Sequence, residues 1–375
     1  MKTILPGQTI GIIGGGQLGR MMAIAAREMG FHIAVLDPTE NCPCAGVADT
    51  HIVASYSDLS AIRQLAKVSD VLTYEFENID YQCLAWVEEN AYLPQGSQLL
   101  LSTQNRLTEK QAITDVGIPV APYCAIKTEQ DLLEAIEKLG YPCVLKTTTG
   151  GYDGKGQVVL KSEADLEAAH ALLAGQPCVL EAWIPFEKEI SVIIVRNHLG
   201  QMNVFPISEN VHVENILHQS IVPARISETV SEQAILYAEQ LATSFSLIGT
   251  LAVEMFVTAT GKIYINELAP RPHNSGHYTL DACSISQFEQ HIRAVCGWPL
   301  ADVQLYTETV MVNVLGQHLE KVLEKIPLLS NCQLHLYGKK DAVYKRKMGH
   351  INVVASSIEE ALTKVHQLDI WEEKQ

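Results

Sequence analysis

Residues Leu251–Leu268 read LAVEMFVTATGKIYINEL: two apolar runs, Leu251–Val257 and Ile263–Leu268, around a short polar connection holding Thr260 and Gly261. Such runs broken by a glycine-bearing turn predict a β-hairpin. With Thr260–Gly261 as a two-residue turn, Glu254 faces Glu267 and Met255 faces Asn266; a turn displaced by one residue would change every pair. Like charges directly opposite on a sheet destabilise it. Either both carboxylates are solvated or a cation sits between them. Val253, Met255, Ile265 and Leu268 leave the surroundings partly apolar, which favours the cation. A hard divalent ion such as Mg²⁺ takes one or two carboxylates and completes its shell from phosphates and water. Glu254 and Glu267 are therefore the candidate metal ligands.

Upstream, Lys146 ends an apolar strand, Cys143–Lys146, and is followed by TTTGGYDGKGQ, residues Thr147–Gln157, before a second strand, Gln157–Leu160. The four glycines between 150 and 156 let the backbone approach a ligand closely and aim amides at it. The segment joins strand to strand, and no Gly-Lys-Ser/Thr precedes a helix, so it is not a P-loop of the Walker kind. A plain hairpin turn does not need this length, whereas long loops in compact domains are often functional lids. A lysine beside such a loop suits the phosphates of ATP.

Toward the N-terminus, Thr9–Ile13, His32–Leu36 and Asp70–Thr73 read as strands alternating with helices Gln17–Met29 and Asp58–Lys67. That alternation predicts a doubly wound parallel sheet, ending near 104–110. A smaller α+β unit follows, with helices Glu129–Leu139 and Glu163–Leu173. Beyond Val179 come longer strands, with hairpin-like pairs at Ile190–Val195 and Val204–Ile207, and a helix over Ser231–Phe245. The tail carries strands Val310–Leu315, Leu334–Tyr337 and Ile351–Val354 and a helix Ile358–Leu368.

Gly14, Gly16 and Gly19 form G-x-G-x-x-G between strand and helix, and Asp37 closes the next strand near the distance expected of a ribose-binding acid. Alone, this pattern fits a nicotinamide enzyme. Amides at a helix N-terminus bind any phosphate, however, so the motif is read as a phosphate or nucleotide-edge site of unspecified ligand.

The 375-residue chain is 47% hydrophobic and 19% charged, as in soluble globular proteins, and carries a formal charge of −16. That balance argues against broad nucleic-acid binding. No apolar run approaches the about 20 residues that span a bilayer, and the N-terminus does not read as a signal peptide. Nine scattered cysteines without C-x-x-C spacing fit a reducing, cytoplasmic setting. The basic group Lys339, Lys340, Lys345, Arg346 and Lys347 is either a solvated turn or a phosphate-binding patch.

Lys146, the glycine loop, Glu181-Ala182-Trp183-Ile184, Glu189, and Glu254 with Asn266-Glu267 together resemble the ATP-grasp superfamily. The segments Thr73–Asn78, Gly151–Gln157 and Glu267–His277, the last containing A-P-R-P-H-N-S-G-H, resemble the 5-(carboxyamino)imidazole ribonucleotide synthase family over essentially the whole chain. The resemblance implies an ATP-grasp fold of mixed α/β and α+β kind: an N-terminal domain over 1–108, a small ATP-grasp subdomain over 109–182, a large one over 183–300 and a β-rich C-terminal domain over 301–375. It implies that ATP and Mg²⁺ are used to carboxylate aminoimidazole ribonucleotide with bicarbonate, giving ADP and phosphate through carboxyphosphate, in a cytoplasmic homodimer.

Residue roles follow from the same resemblance. Arg106 and Lys146 would contact ATP phosphates, under the loop Gly151, Tyr152, Asp153, Gly154, Lys155, Gly156 and Gln157. Glu181 and the backbone of Ala182, Trp183 and Ile184 would hold the adenine, Trp183 as a pocket wall. Glu189 would take the ribose, His212 a further nucleotide contact, and Asn266 would join Glu267 at the nucleotide. Tyr152, Asp153, Lys155, Glu75, Arg271 and His273 would line the aminoimidazole and bicarbonate site, with Gly16, Gln17 and Leu18 also at the substrate. Lys339 and Arg346 would bind the ribonucleotide phosphate. Many relatives carry Arg where this chain has Lys155, which keeps the charge and loses the bidentate geometry. Glu75 and Glu77 alternate, so one is expected to face solvent and Glu75 the site. His277 is expected to be structural, and Asn274 and Ser275 to shape the turn.

Three rivals are separable. A nicotinamide oxidoreductase rests on the glycine motif alone and leaves the loop and glutamate pair unexplained. Another ATP-grasp ligase would not need Tyr74–Asn78 and Ala269–His277. An ATP-binding regulatory module would bind ATP without hydrolysing it.

Overall fold

A computed structural model describes residues 2–151 and 154–371. Near the N-terminus lie four parallel strands, β1 (Thr9–Ile13), β2 (His32–Leu36), β3 (Thr50–Ile52) and β4 (Val71–Tyr74), in the order β3-β2-β1-β4. Both faces are covered, so the strands are apolar runs and not alternating ones. On one side, Leu18, Met21, Met22, Ala25 and Ala26 of α1 (Gln17–Glu28) pack on Ile10, Ile12, Ile33 and Val35. On the other, Ile62 and Leu65 of α2 (Leu59–Val68) and Leu84 and Val87 of α3 (Tyr81–Asn90) meet Ile13, Leu36 and Ile52. Asp58 starts α2 by accepting from the Ser60 and Ala61 N–H groups.

After α4 (Gln98–Thr103) comes α5 (Arg106–Asp115), capped by Asn105, which spans the stretch where the N-terminal domain is expected to end. The expected division at 108/109 thus falls inside a helix. Its buried residues are Glu109, Lys110 and Ile113. Charge on the inward face erases the apolar stripe by which a helix is normally recognised.

Four strands, β5 (Tyr123–Ile126), β6 (Cys143–Thr147), β7 (Gln157–Leu160) and β8 (Cys178–Ala182), form an antiparallel sheet ordered β5-β8-β6-β7. It packs on α6 (Glu129–Leu139), which begins at a Thr128–Asp131 capping box, and α7 (Leu166–Leu173). The helix expected from Glu163 opens as a 3-10 turn, Glu163–Asp165, before α7.

The remaining strands make one nine-stranded sheet: β9 (Phe186–Arg196), β10 (Met202–Val204), β11 (Ser208–Val213), β12 (Ile216–Val222), β13 (Gly249–Thr258), β14 (Ile263–Ala269), β15 (Glu308–Leu315), β16 (Cys332–Leu336) and β17 (Lys347–Ala355). Its order is β14-β13-β9-β11-β12-β15-β17-β16, with β10 beside β9. The C-terminal strands β15–β17 extend this sheet through β12 rather than building one of their own. The strand expected at Val204–Ile207 is replaced by β10 and β11 on either side of Pro206, which has no N–H for a ladder. Helix α8 (Glu228–Ser244) covers β9 and β13. Beyond a short α9 (Thr279–Ala282), α10 (Gln287–Val295) presses Phe288, Ile292 and Val295 into the same core as α1, fastening the N-terminal sheet to the large one. After α11 (Leu319–Lys325), α12 (Ile358–Gln367) packs on β15 and β17. Among the described residues no helix is long and apolar enough to cross a membrane.

Candidate active site

Glu254 and Glu267 do face each other across β13 and β14, but not through a two-residue turn. Thr258 donates to the Lys262 carbonyl and Gly261 N–H to the Thr258 carbonyl, so Ala259–Gly261 forms a three-residue connection. That shifts the register by one, and Met255 pairs with Ile265 instead of Asn266. A bulge immediately beyond restores the offset, leaving Asn266 as the extra residue beside Glu267. Burial, and then the opposing Glu267, push the Glu254 carboxyl up to about 8. Two hard oxygen donors forced together fit a divalent cation. Among the described residues no three His, Cys, Asp or Glu side chains converge on a metal.

The turn after β14 brings the next groups in. His273 Nδ1 lies 2.8 Å from Ser275 Oγ and accepts from the Ser275 N–H, which leaves Nε2, 3.1 Å from Glu254 Oε1, as the protonated nitrogen. Burial, reinforced by Arg271 and Lys347, holds this imidazole well below its ordinary pKa, hence neutral. Gln287 fixes the turn by accepting from His273 N–H and donating to its carbonyl. Arg271 Nη2 pairs with Glu77 at 2.7 Å, while its buried Nε and both polar atoms of the buried Asn274 amide have no partner among the described residues. Unsatisfied buried polar groups are uncommon enough to mark a place for a ligand. His277 is buried, its ring tilted against that of His350 at 4.7 Å and its carbonyl accepting from Asn352.

Lys146, at the end of β6, donates to Glu181 Oε2 at 3.0 Å, and Lys110 lies 3.1 Å from Oε1. Burial alone would raise the Glu181 carboxyl; the two lysines outweigh it and hold it down, to about 2. Of this residue, expected at the adenine, one oxygen is hydrogen-bonded by Lys146 and the other ion-paired with Lys110. Arg106 reaches Glu267 at 3.4 Å and the Gly151 carbonyl at 3.5 Å, joining the phosphate-side groups to the metal pair and the loop. In that loop Gly150, Gly154 and Gly156 have positive φ, and Thr147 N–H is held by the Gly156 carbonyl. Lys155 is exposed there and Gln157 opens β7; Tyr152 and Asp153 lie outside the described residues.

Glu189 on β9 and His212 on β11 are brought together at 3.0 Å. Burial would lower this imidazole, but the Glu189 carboxylate beside it, as acceptor and counter-charge, outweighs burial and raises its pKa. The chain leaves β8 through Ala182, Trp183 and Ile184, where Trp183 is 42% exposed and Ile184 buried.

The glycine motif holds an anion of the chain's own. Glu75 accepts from the N–H groups of Gly16 and Gly19, the latter at 2.6 Å, at the N-terminus of α1. Asp37 accepts from Gly15 and Thr39 N–H and from the Tyr56 hydroxyl, so it braces the loop. Gln17 and Leu18 begin α1, with the Leu18 side chain in the core. The expectation that Glu77 faces solvent is corrected: the chain leaves β4 at Tyr74, strand alternation stops, and both acids turn inward.

Of the basic cluster, Lys339 donates to the Lys347 carbonyl at 2.8 Å, Arg346 to the Asp341 carbonyl at 3.1 Å, and Lys345 pairs with Glu214. Lys347 on β17 acts electrostatically on Glu254, His212 and His273. The sequence named it only within a cluster. Glu109, Lys110 and Gln287 gave no signal, since each stands in a helix of unremarkable composition.

A doubly wound domain, a small antiparallel sheet with a glycine lid and a lysine, and a large sheet bearing paired acids define an ATP-grasp protein. The ATP-grasp domain family matches residues 111–288, the ribonucleotide synthetase preATP-grasp domain 7–103, and the phosphoribosylaminoimidazole carboxylase C-terminal domain 309–364. N5-carboxyaminoimidazole ribonucleotide synthase of Bacillus subtilis (strain 168) is 54% identical over 364 residues, covering 97% of this chain and 96% of that protein. A crystal structure of an ADP complex of an N5-carboxyaminoimidazole ribonucleotide synthetase superposes with a TM-score of 0.97 at 64% identity, covering 99% and 98% of the two chains. The Aspergillus clavatus N5-carboxyaminoimidazole synthase, solved with ADP and 5-aminoimidazole ribonucleotide, superposes with a TM-score of 0.90 at 32% identity, covering 97% and 98%. The chain belongs to the N5-carboxyaminoimidazole ribonucleotide synthase family.

Proposed function

We infer that this chain is a carbon–nitrogen ligase that uses ATP to carboxylate 5-aminoimidazole ribonucleotide in purine biosynthesis. The observation that carries the reading is the meeting, in a chain alignable end to end with such synthases, of the Glu254–Glu267 pair with the unsatisfied Arg271 Nε and Asn274 amide. Bicarbonate as carboxyl donor, Mg²⁺, a homodimer and a cytoplasmic setting belong to this proposal.

Bicarbonate is a poor acyl donor at neutral pH, so it is activated by attacking the γ-phosphate, which gives carboxyphosphate and ADP. The exocyclic amine of the ribonucleotide then takes the carboxyl group and phosphate leaves. Phosphoryl transfer needs alignment and neutralisation more than covalent help. Glu254 and Glu267 would hold Mg²⁺, which when bound neutralises phosphate charge. Lys146 and Arg106 add positive charge from the protein side. Arg271 and Asn274 offer donors to bicarbonate oxygens, with Arg271 oriented by Glu77. His273 keeps its proton on Nε2 toward Glu254. The loop 148–156, including Tyr152, Asp153 and Lys155, would shield carboxyphosphate from water.

Ala182–Ile184 would supply the adenine edge and Glu189–His212 the ribose contact. Glu75 with Gly16 and the amides of Gln17 and Leu18, and Lys339 with Arg346, would receive the ribonucleotide. The test is transfer of ¹³C from labelled bicarbonate to the nucleotide, followed by mass spectrometry. A product heavier by one labelled carboxyl, formed only with ATP, supports the reading; unlabelled nucleotide after ATP turnover refutes it.

A further inference from the structure

Helix α5 contributes more than Arg106. Arg106, Glu109 and Lys110 stand at i, i+3 and i+4 and share one face. Glu109 Oε1 accepts from Leu268 N–H at 2.7 Å, next to Glu267. Lys110 stands 3.1 Å from one oxygen of Glu181, while Lys146 takes the other. The Lys110 side chain is 1% exposed and that of Lys146 12%, so only Lys146 can meet a ligand. Replacing a whole buried ion-pair network by apolar groups is often neutral or better for stability, so a wholly enclosed second lysine points to a use other than holding the fold.

Charge counting shows that use. Two ammoniums and one carboxylate leave the cluster with a net positive charge, with Lys146 as its partly exposed lysine. Without Lys110 the cluster is neutral, and Glu181 is free to close both oxygens on Lys146.

We infer that Lys110 is a positioning residue for the nucleotide phosphates, sharing Glu181 so that Lys146 stays available to a ligand. This rests on Lys146 being the phosphate contact, so Lys146→Met is measured alongside. In the full-length protein, Lys110→Met is expected to raise KM for ATP roughly tenfold, the order of one charge-assisted contact, with KM for aminoimidazole ribonucleotide unchanged. Adding Glu181→Gln restores the net charge, so the double variant should bind ATP at least as well as the single. A merely structural lysine would not show this recovery.

Additive losses in the double variant, or an unchanged KM for ATP in Lys110→Met, would overturn the inference. If Lys146→Met also leaves KM for ATP unchanged, it is the phosphate assignment that fails. Thermal melts establish that each variant is folded, and Lys110→Gln carries the same test if Lys110→Met is not.

Discussion

Glu254 and Glu267 stand directly opposite each other on neighbouring antiparallel strands, kept in that register by a bulge that cancels the extra residue of their turn. A sheet built for stability alone would not place two carboxylates there, since such pairs oppose folding by about 0.2–1 kcal/mol. Glu267→Gln should therefore leave the ligand-free protein as stable as before, or more stable by up to that amount. ADP release should fall by about 100-fold or more. Calorimetry and a coupled ADP assay read the two effects separately; a loss of stability with activity intact would be the opposite pattern.

Lys146→Met should lower kcat/KM for ATP by about 100-fold, the scale of removing one preorganised electrostatic contact. The fold should survive, because Glu181 keeps Lys110 as a partner. Steady-state kinetics with ATP varied, beside a melting curve, checks both halves.

Gly16 has an ordinary φ of −72°, so an alanine there is not strained by its backbone. Its Cβ would lie 2.6 Å from Glu75 Oε1, however. Gly16→Ala should dislodge that carboxylate and raise KM for aminoimidazole ribonucleotide far more than KM for ATP. Equal effects on both substrates would remove Glu75 from the ribonucleotide site.

Away from the site, buried Glu209 accepts from Arg225 Nε at 3.0 Å and from Lys188 at 2.9 Å. Burial opposes its ionisation, yet the Arg225 and Lys188 hydrogen bonds hold its pKa below the ordinary value. A depressed carboxylate stabilises the fold above its unfolded pKa of about 4.3, and that contribution is lost as pH falls through the lower folded value. Glu209→Gln should cost about 1–2 kcal/mol at neutral pH, discounted because Arg225 is half exposed. The difference from the parent should shrink below about pH 4, which urea titrations at pH 7 and pH 3.5 would show.

Much of this was legible in the sequence where periodicity and chemistry agree. The strands β1 and β2, the helix Glu129–Leu139 and the Glu254–Glu267 pairing all follow from local pattern, although the pairing arises from two deviations that compensate. Helix α5 was not legible, because the residues that make it matter are charges on its buried face, and these mimic a polar linker. Glu77 was misplaced because alternation was carried past the end of β4. The glycine motif showed a helix terminus built for an anion; only the fold could show that Glu75 supplies it, since 59 residues separate Glu75 from Gly16.

The most direct test of the central claim is ADP release by the purified protein with Mg·ATP, in bicarbonate-containing and bicarbonate-depleted buffer, with and without aminoimidazole ribonucleotide. Release that requires bicarbonate and rises strongly with the ribonucleotide is the predicted result. Turnover indifferent to both would contradict it.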